Sequence, residues 1–143
     1  MSAAKPWDDL INMADVLWLY AEGIKRFGGE GSPPKEGCLE QSLGNAYTAE
    51  LYSESDSVRG LAFSGYLLFY LTRDHCFVDG NKRIAWTCCM RVLATLGLTV
   101  DASQEDAEAL CMRIADSTLE DAIKDGSECV VWIAEHLVAI ENQ

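Results

Sequence analysis

An all-α domain is the fold class this sequence predicts, and three observations predict it. Apolar residues recur at helical spacing through most of the chain, and all three prolines, Pro6, Pro33 and Pro34, lie near its start. No repeat, low-complexity tract or long linker interrupts the pattern. With 143 residues, 49% of them hydrophobic and 24% charged, the chain has the length and composition of one domain with its own core. We expect a single domain over residues 1–143, a compact bundle of six to eight helices.

The elements follow in order. From Trp7 to Phe27, apolar Leu10, Ala14, Leu17, Ala21 and Ile24 recur on one face, with Asp8 and Asp9 in front and Gly28–Gly29 behind. That pattern is a first helix with both ends marked. Residues 28–37, GGEGSPPKEG, combine glycines with two prolines and read as a surface flap. A second helix runs from Cys38 to about Leu51. Asp56 is placed to cap a third, from about Ser57 to Leu71, so apolar on every side that it belongs at the centre. After a short loop, a helix runs from about Asn81 to Leu96, with Gly97 as its stop. The remainder, with candidate caps Ser103, Thr118 and Ser127, reads as two or three shorter helices covering that core.

Charge narrows the function. Eleven basic and twenty-three acidic side chains leave a formal net charge of −12, which repels phosphate backbones and anionic lipid, so neither a general nucleic-acid binder nor a membrane-surface protein is expected. The start carries no basic region followed by an apolar run, and no segment approaches the roughly 18 apolar residues that cross a bilayer. A cytoplasmic protein is the expectation. Cys38, Cys76, Cys88, Cys89, Cys111 and Cys129 show no CxxC spacing and read as buried free thiols. The tryptophans Trp7, Trp18, Trp86 and Trp132 read as core, and His136 as a packing residue.

The chemistry concentrates in DHCFVDGNKRIA, residues 74–85. Between Arg73 and Arg91 the acidic chain turns basic, with Arg73, Lys82, Arg83 and Arg91 against Asp74 and Asp79. Gly80 and Asn81 stand where the chain enters a helix, so successive backbone N–H groups converge there, backed by the positive end of the helix dipole; that arrangement receives a phosphate. Lys82 and Arg83 add full charge in the first turn, while Arg83, Thr87 and Arg91 share one face at spacing i, i+4, i+8. Asp79 supplies a hard oxygen suited to Mg²⁺ bridging phosphate oxygens. His75 carries an imidazole able to take a proton from an attacking hydroxyl. Phe77, between them, reads as the apolar plug that anchors the loop. Each feature alone is ordinary, as a helix cap, an Asx-type turn or a solvated charge. It is their conjunction in nine residues that points to a site, the loop 75–83.

The string HCFVDGNKR resembles the HxFx(D/A)GNKR signature of the Fic/Doc family, and within it the Doc, or death-on-curing, toxin branch. Weaker similarity extends over roughly residues 10–140, including the Leu-Glu-Gln-Ser stretch at 39–42 and the Leu-Gly-Leu exit at 96–98. The resemblance implies a helical bundle with His75 as general base and Asp79 as the Mg²⁺ ligand. It implies that Asn81 shapes the anion hole, and that Lys82 and Arg83 hold the phosphates of ATP. Adenylylating members continue Gly-Asn-Gly-Arg, with a small glycine where Lys82 stands here. Doc-like proteins with this lysine are associated with phosphoryl transfer from ATP to a Ser/Thr hydroxyl of elongation factor Tu, with inhibition of translation, and with neutralisation by a Phd-type antitoxin. The alternatives are a Fic-type nucleotidyl transferase and a non-catalytic anion-binding module. Cys76 stands where many members carry proline, and Pro34–Lys35 where Doc-like chains often carry an Arg-Asp pair. Ser32 to Gly37 matches the loose Ser-xxx-Glu-Gly pattern of Fic self-inhibition, but Pro33 and Pro34 forbid the helix that pattern needs.

Overall fold

The computed structural model describes residues 10–52 and 60–141. Six helices are present among them: α1 (Met13–Phe27), α2 (Cys38–Leu51), α3 (Leu61–Arg73), α4 (Asn81–Thr95), α5 (Gln104–Ala115) and α6 (Gly126–Glu135). Two three-residue strands, β1 (Leu98–Val100) and β2 (Leu137–Ala139), pair antiparallel with Leu98 opposite Ala139 and Val100 opposite Leu137. The fold is therefore all-α, with a small clasp that the sequence reading had absorbed into its helical tail.

The central element is α3. It packs against α2, α4 and α6, and nine of its thirteen residues are buried. Phe63, Leu67 and Leu68 are fully enclosed, each removing enough apolar surface from water to stabilise the fold by about 2 kcal/mol. Gly65 lets α6 approach closely: a Cβ there would lie 2.5 Å from Val130 Cγ2 and 2.7 Å from the Val130 nitrogen. Tyr47 of α2 stacks on Phe63 at 3.9 Å. The buried thiols of Cys88 and Cys89 on α4, Cys111 on α5 and Cys129 on α6 extend this core.

Several local expectations are corrected. Helix α1 starts at Met13, where Asn12 and Asp15 form a reciprocal capping box; Trp7, Asp8 and Asp9 lie outside the described residues, as does Asp56. Its buried stripe is Val16 and Tyr20, while Ala14, Leu17 and Ala21 are exposed. The apolar spacing was right and its rotation wrong, because a tyrosine can bury its ring while its hydroxyl finds a partner. Trp18 is 60% exposed, so it is no core residue. Trp86 and Trp132 pack edge to face at 6.3 Å, and His136 stacks on Trp132.

In the tail, Ser103 caps α5 by accepting from the Asp106 amide. Thr118, however, bonds Asp116 within a turn. Helix α6 is capped by Asp125 rather than Ser127, in a capping box with Glu128. Finally, Cys38 and Cys76 are joined in a disulfide. Free thiols were expected there; the two are 38 residues apart in sequence, and only the packing of α2 beside the loop after α3 brings them together.

Candidate active site

The loop between α3 and α4 is shaped by two left-handed residues. Gly80, at φ 75°, turns the chain into α4. His75, at φ 48°, is the non-glycine residue with positive φ among those described, a conformation that costs a Cβ-bearing residue on the order of 1 kcal/mol. The turn presents His75 to solvent and sends Cys76 and Phe77 inward, with Phe77 only 3% exposed. Phe77 stacks on Tyr20 of α1 at 3.8 Å. Buried Asn81 braces the same loop: its side-chain oxygen accepts from the Phe77 amide at 3.0 Å and its side-chain nitrogen donates to the Phe77 carbonyl at 2.9 Å. Both polar ends of Asn81 are thus spent on the loop, and it shapes the turn from beneath.

Above that brace the start of α4 is open. No side chain caps it; the first bond into the helix from its end is Ile84 N–H to Gly80 O, so the amides of Asn81, Lys82 and Arg83 have no partner within the helix. Lys82 and Arg83 are exposed but diverge. Arg83 lies over the Phe27 ring at 4.6 Å and, with Thr87, lines a cleft of about 360 Å³ between α4 and the outward face of α1, which contributes Trp18, Gly23 and Phe27. Lys82 faces the α5 side, where its charge pulls down a Cys111 thiol that burial pushes up to about 11. The basic stretch is only partly available to a ligand. Arg91 is exposed outside this cleft, and Arg73 turns inward, donating to the carbonyls of Ile114 at 2.7 Å and Ile123 at 3.1 Å.

Asp79 is exposed beside the open amides. Its side-chain oxygens are approached only loosely, by the Tyr20 hydroxyl and the Glu30 amide, each at 3.5 Å. One carboxylate does not make a metal cage, but it fits an Mg²⁺ whose remaining ligands are phosphate oxygens and water. The flap is held at both ends. Glu30 accepts the Tyr20 hydroxyl at 3.0 Å, and the same hydroxyl reaches the Asp79 carbonyl at 3.2 Å. Lys35 donates its amide to the Cys76 carbonyl at 2.8 Å, and Cys38 follows with the disulfide. Between them, residues 31–34 make no backbone–backbone hydrogen bond among the described residues.

Tyr20 is the site residue that sequence reasoning missed. Burial, and next the Asp79 carboxylate, raise its phenol above the ordinary value, so it remains a donor. The available signal was a tyrosine at helical spacing between Val16 and Ile24, one residue off the stripe selected from apolar residues alone.

Fold and loop together define a helical domain built to receive an anion at a helix start beside an exposed imidazole and carboxylate. The chain belongs to the Fic/DOC family, whose model matches residues 10–93, and membership supports Fic-type transferase activity in general. The match takes in α1, the flap, α2, α3, the loop and nearly all of α4, and so contains every residue of the site. Among curated proteins, none matches the chain. No helix among the described residues is long and apolar enough to cross a membrane.

Proposed function

We propose that the chain is a Doc-like kinase that transfers a phosphoryl group from ATP to a Ser/Thr hydroxyl of a protein, elongation factor Tu by resemblance, and is neutralised by a Phd-type antitoxin. The observation that carries the reading is Lys82, a full positive charge in the first turn of α4, where adenylylating members have glycine. The open amides of α4, with Lys82 and Arg83, bind the phosphates, and Thr87 extends that wall. Asp79 would hold an Mg²⁺, which would supply charge neutralisation to the bound phosphates.

His75 takes the proton of the attacking hydroxyl. The new oxygen–phosphorus bond forms as the bond to the ADP oxygen breaks, and positioning supplies most of the rate. The flap segment 31–34, with no backbone–backbone hydrogen bond among the described residues, receives an extended target segment that brings the hydroxyl to His75.

The test is transfer in cell lysate from ATP labelled on the γ- or the α-phosphate, with His75→Ala and His75→Asn alongside. Label from the γ position that falls by a factor of about 10² to 10⁴ in both variants is expected. Asparagine tolerates left-handed backbone, so that variant keeps the turn while removing the base. Label from the α position makes the protein a nucleotidyl transferase, and binding of ATP–Mg²⁺ without transfer makes it an anion-binding module.

A further inference from the structure

The disulfide is the covalent tie between two parts of the site that are also joined by the Lys35–Cys76 backbone bond and the Ser42–Asp74 side-chain bond. Cys38 opens α2 directly after the flap, and Cys76 adjoins His75. Cys76 is 2% exposed, whereas Cys38 is only half-buried. The surroundings also offer a hydrogen-bond acceptor to each sulfur of a reduced pair. Ser42 gives its hydroxyl proton to Asp74 Oδ2 at 2.5 Å, leaving Ser42 Oγ, 3.6 Å from Cys76 Sγ, free to accept from a Cys76 thiol. The Asp74 carbonyl lies 3.8 Å from Cys38 Sγ, within reach of a Cys38 thiol. The four other cysteines are buried away from this pair.

We propose that Cys38 and Cys76 form a thiol–disulfide exchange site, oxidised by a low-molecular-weight disulfide of the glutathione type, that sets the order of the flap over the active-site loop. In the forward direction the Cys38 thiolate attacks the small disulfide and releases one small thiol. The enclosed Cys76, which the reagent does not reach, then attacks the Cys38 mixed disulfide and releases the second. Two electrons pass from the cysteine pair to the small disulfide, and the two protons leave with the two small thiols. Reduction reverses both steps. The oxidised form pins residue 38 beside His75 and keeps Lys35 on the Cys76 carbonyl. The reduced form leaves that end of the flap on hydrogen bonds alone, with no covalent tie to the loop, and a target segment is then positioned less well. This last consequence rests on the transferase reading; the exchange and its effect on the flap do not.

The experiment equilibrates the whole chain in buffers from all-reduced to mostly oxidised glutathione. Thiols are counted by alkylation under denaturing conditions and intact mass, and backbone amide exchange is followed in parallel. Four alkylated cysteines in oxidised buffer and six in reduced buffer are expected. The Lys35 amide should exchange at least tenfold faster in the reduced protein, with the amides of α3 unchanged. Cys38→Ser, at a half-buried position, should behave as the reduced form in every buffer. Six free thiols throughout, or equal Lys35 exchange in both forms, overturns the proposal. Transfer measured on the same samples separates the two readings. A loss of tenfold or more on reduction supports the coupling, and equal transfer in both forms overturns it. No transfer in either form, with Lys35 exchange still following the redox state, overturns the transferase reading and leaves the exchange site supported.

Discussion

Helices α3 and α1 both flank the site, yet they are built on opposite terms. Helix α3 is enclosed by α2, α4 and α6 and buries nine of its thirteen residues. Helix α1 buries Val16 and Tyr20 and turns Leu17, Trp18 and Phe27 outward. The enclosed helix delivers the loop bearing His75 from a frame with little freedom. The open one forms the cleft wall, and touches the loop mainly through one side chain, Tyr20. Rigidity and access are thus divided between two helices, so the site can be fixed where chemistry occurs and open where ligand enters.

The comparison can be broken on the α3 side. Gly65→Val drives methyl groups into the Val130 backbone, which has no flexible end to give way. A loss of about 3 kcal/mol or more is expected, seen as a fall in Tm of roughly 10 °C. An unchanged melting curve would mean that α6 is free to move off α3. Next in size is Asn81→Ala, which leaves the Phe77 amide and carbonyl without partners in a buried setting. About 2 kcal/mol of stability should go, and transfer should fall with it, measured by urea denaturation beside the labelled assay.

The thiols of the enclosed half give it a pH signature. Burial raises Cys88 and Cys129 from 9.0 to about 12 and Cys111 to about 11, and pushes Cys89 up as well. Unfolded thiols ionise near pH 9 while the folded ones stay neutral, so stability is fully present below pH 9 and is lost as pH rises toward 12. Urea midpoints at pH 7.5 and 10.5 should therefore separate, and Cys88→Ala should narrow the gap.

The smallest effect is expected on the open side. Tyr20→Phe keeps the ring on Phe77 and removes only the hydroxyl that joins Glu30 to Asp79. Stability should change by about 1 kcal/mol, with a larger relative rise in KM for the protein target than fall in kcat. A kcat loss matching that of His75→Ala would place Tyr20 in the chemistry instead.

How much of this the sequence carried divides along the same line. The enclosed elements were legible: α2 begins at Cys38 and ends at Leu51, and α4 begins at Asn81, as composition and turn residues predicted. Dense apolar runs bounded by glycine leave few alternatives. The open helix ends at Phe27 as expected but starts at Met13 and is rotated, since an amphipathic stripe is inferred from side-chain type: Tyr20, which no apolar stripe selected, is buried, and Trp18, read as core, is exposed. Within the motif, the residue types marked the site, but divergence of Lys82 from Arg83 and the inward turn of Arg73 depend on which neighbours pack nearby. The Cys38–Cys76 bond is a contact between distant segments, and no local spacing announces it. The strands were missed because three residues are too few to show a period.

That two-stranded clasp has a consequence for the order of assembly. It ties Leu98 to Ala139 and is extended by bonds from Asp101 to His136 and from Ile140 to Gly97. The chain between is thereby closed into a ring containing both α5 and α6. Closing so long a ring is an entropic cost that a ladder of three residue pairs does not repay alone. We expect it to form once α6 has docked on α3 and, on heating, to part before the body of the bundle does, which amide exchange at Val100 and Ile140 against α3 would check. The last two helices are thus held by a seam whose closure depends on the core being in place first.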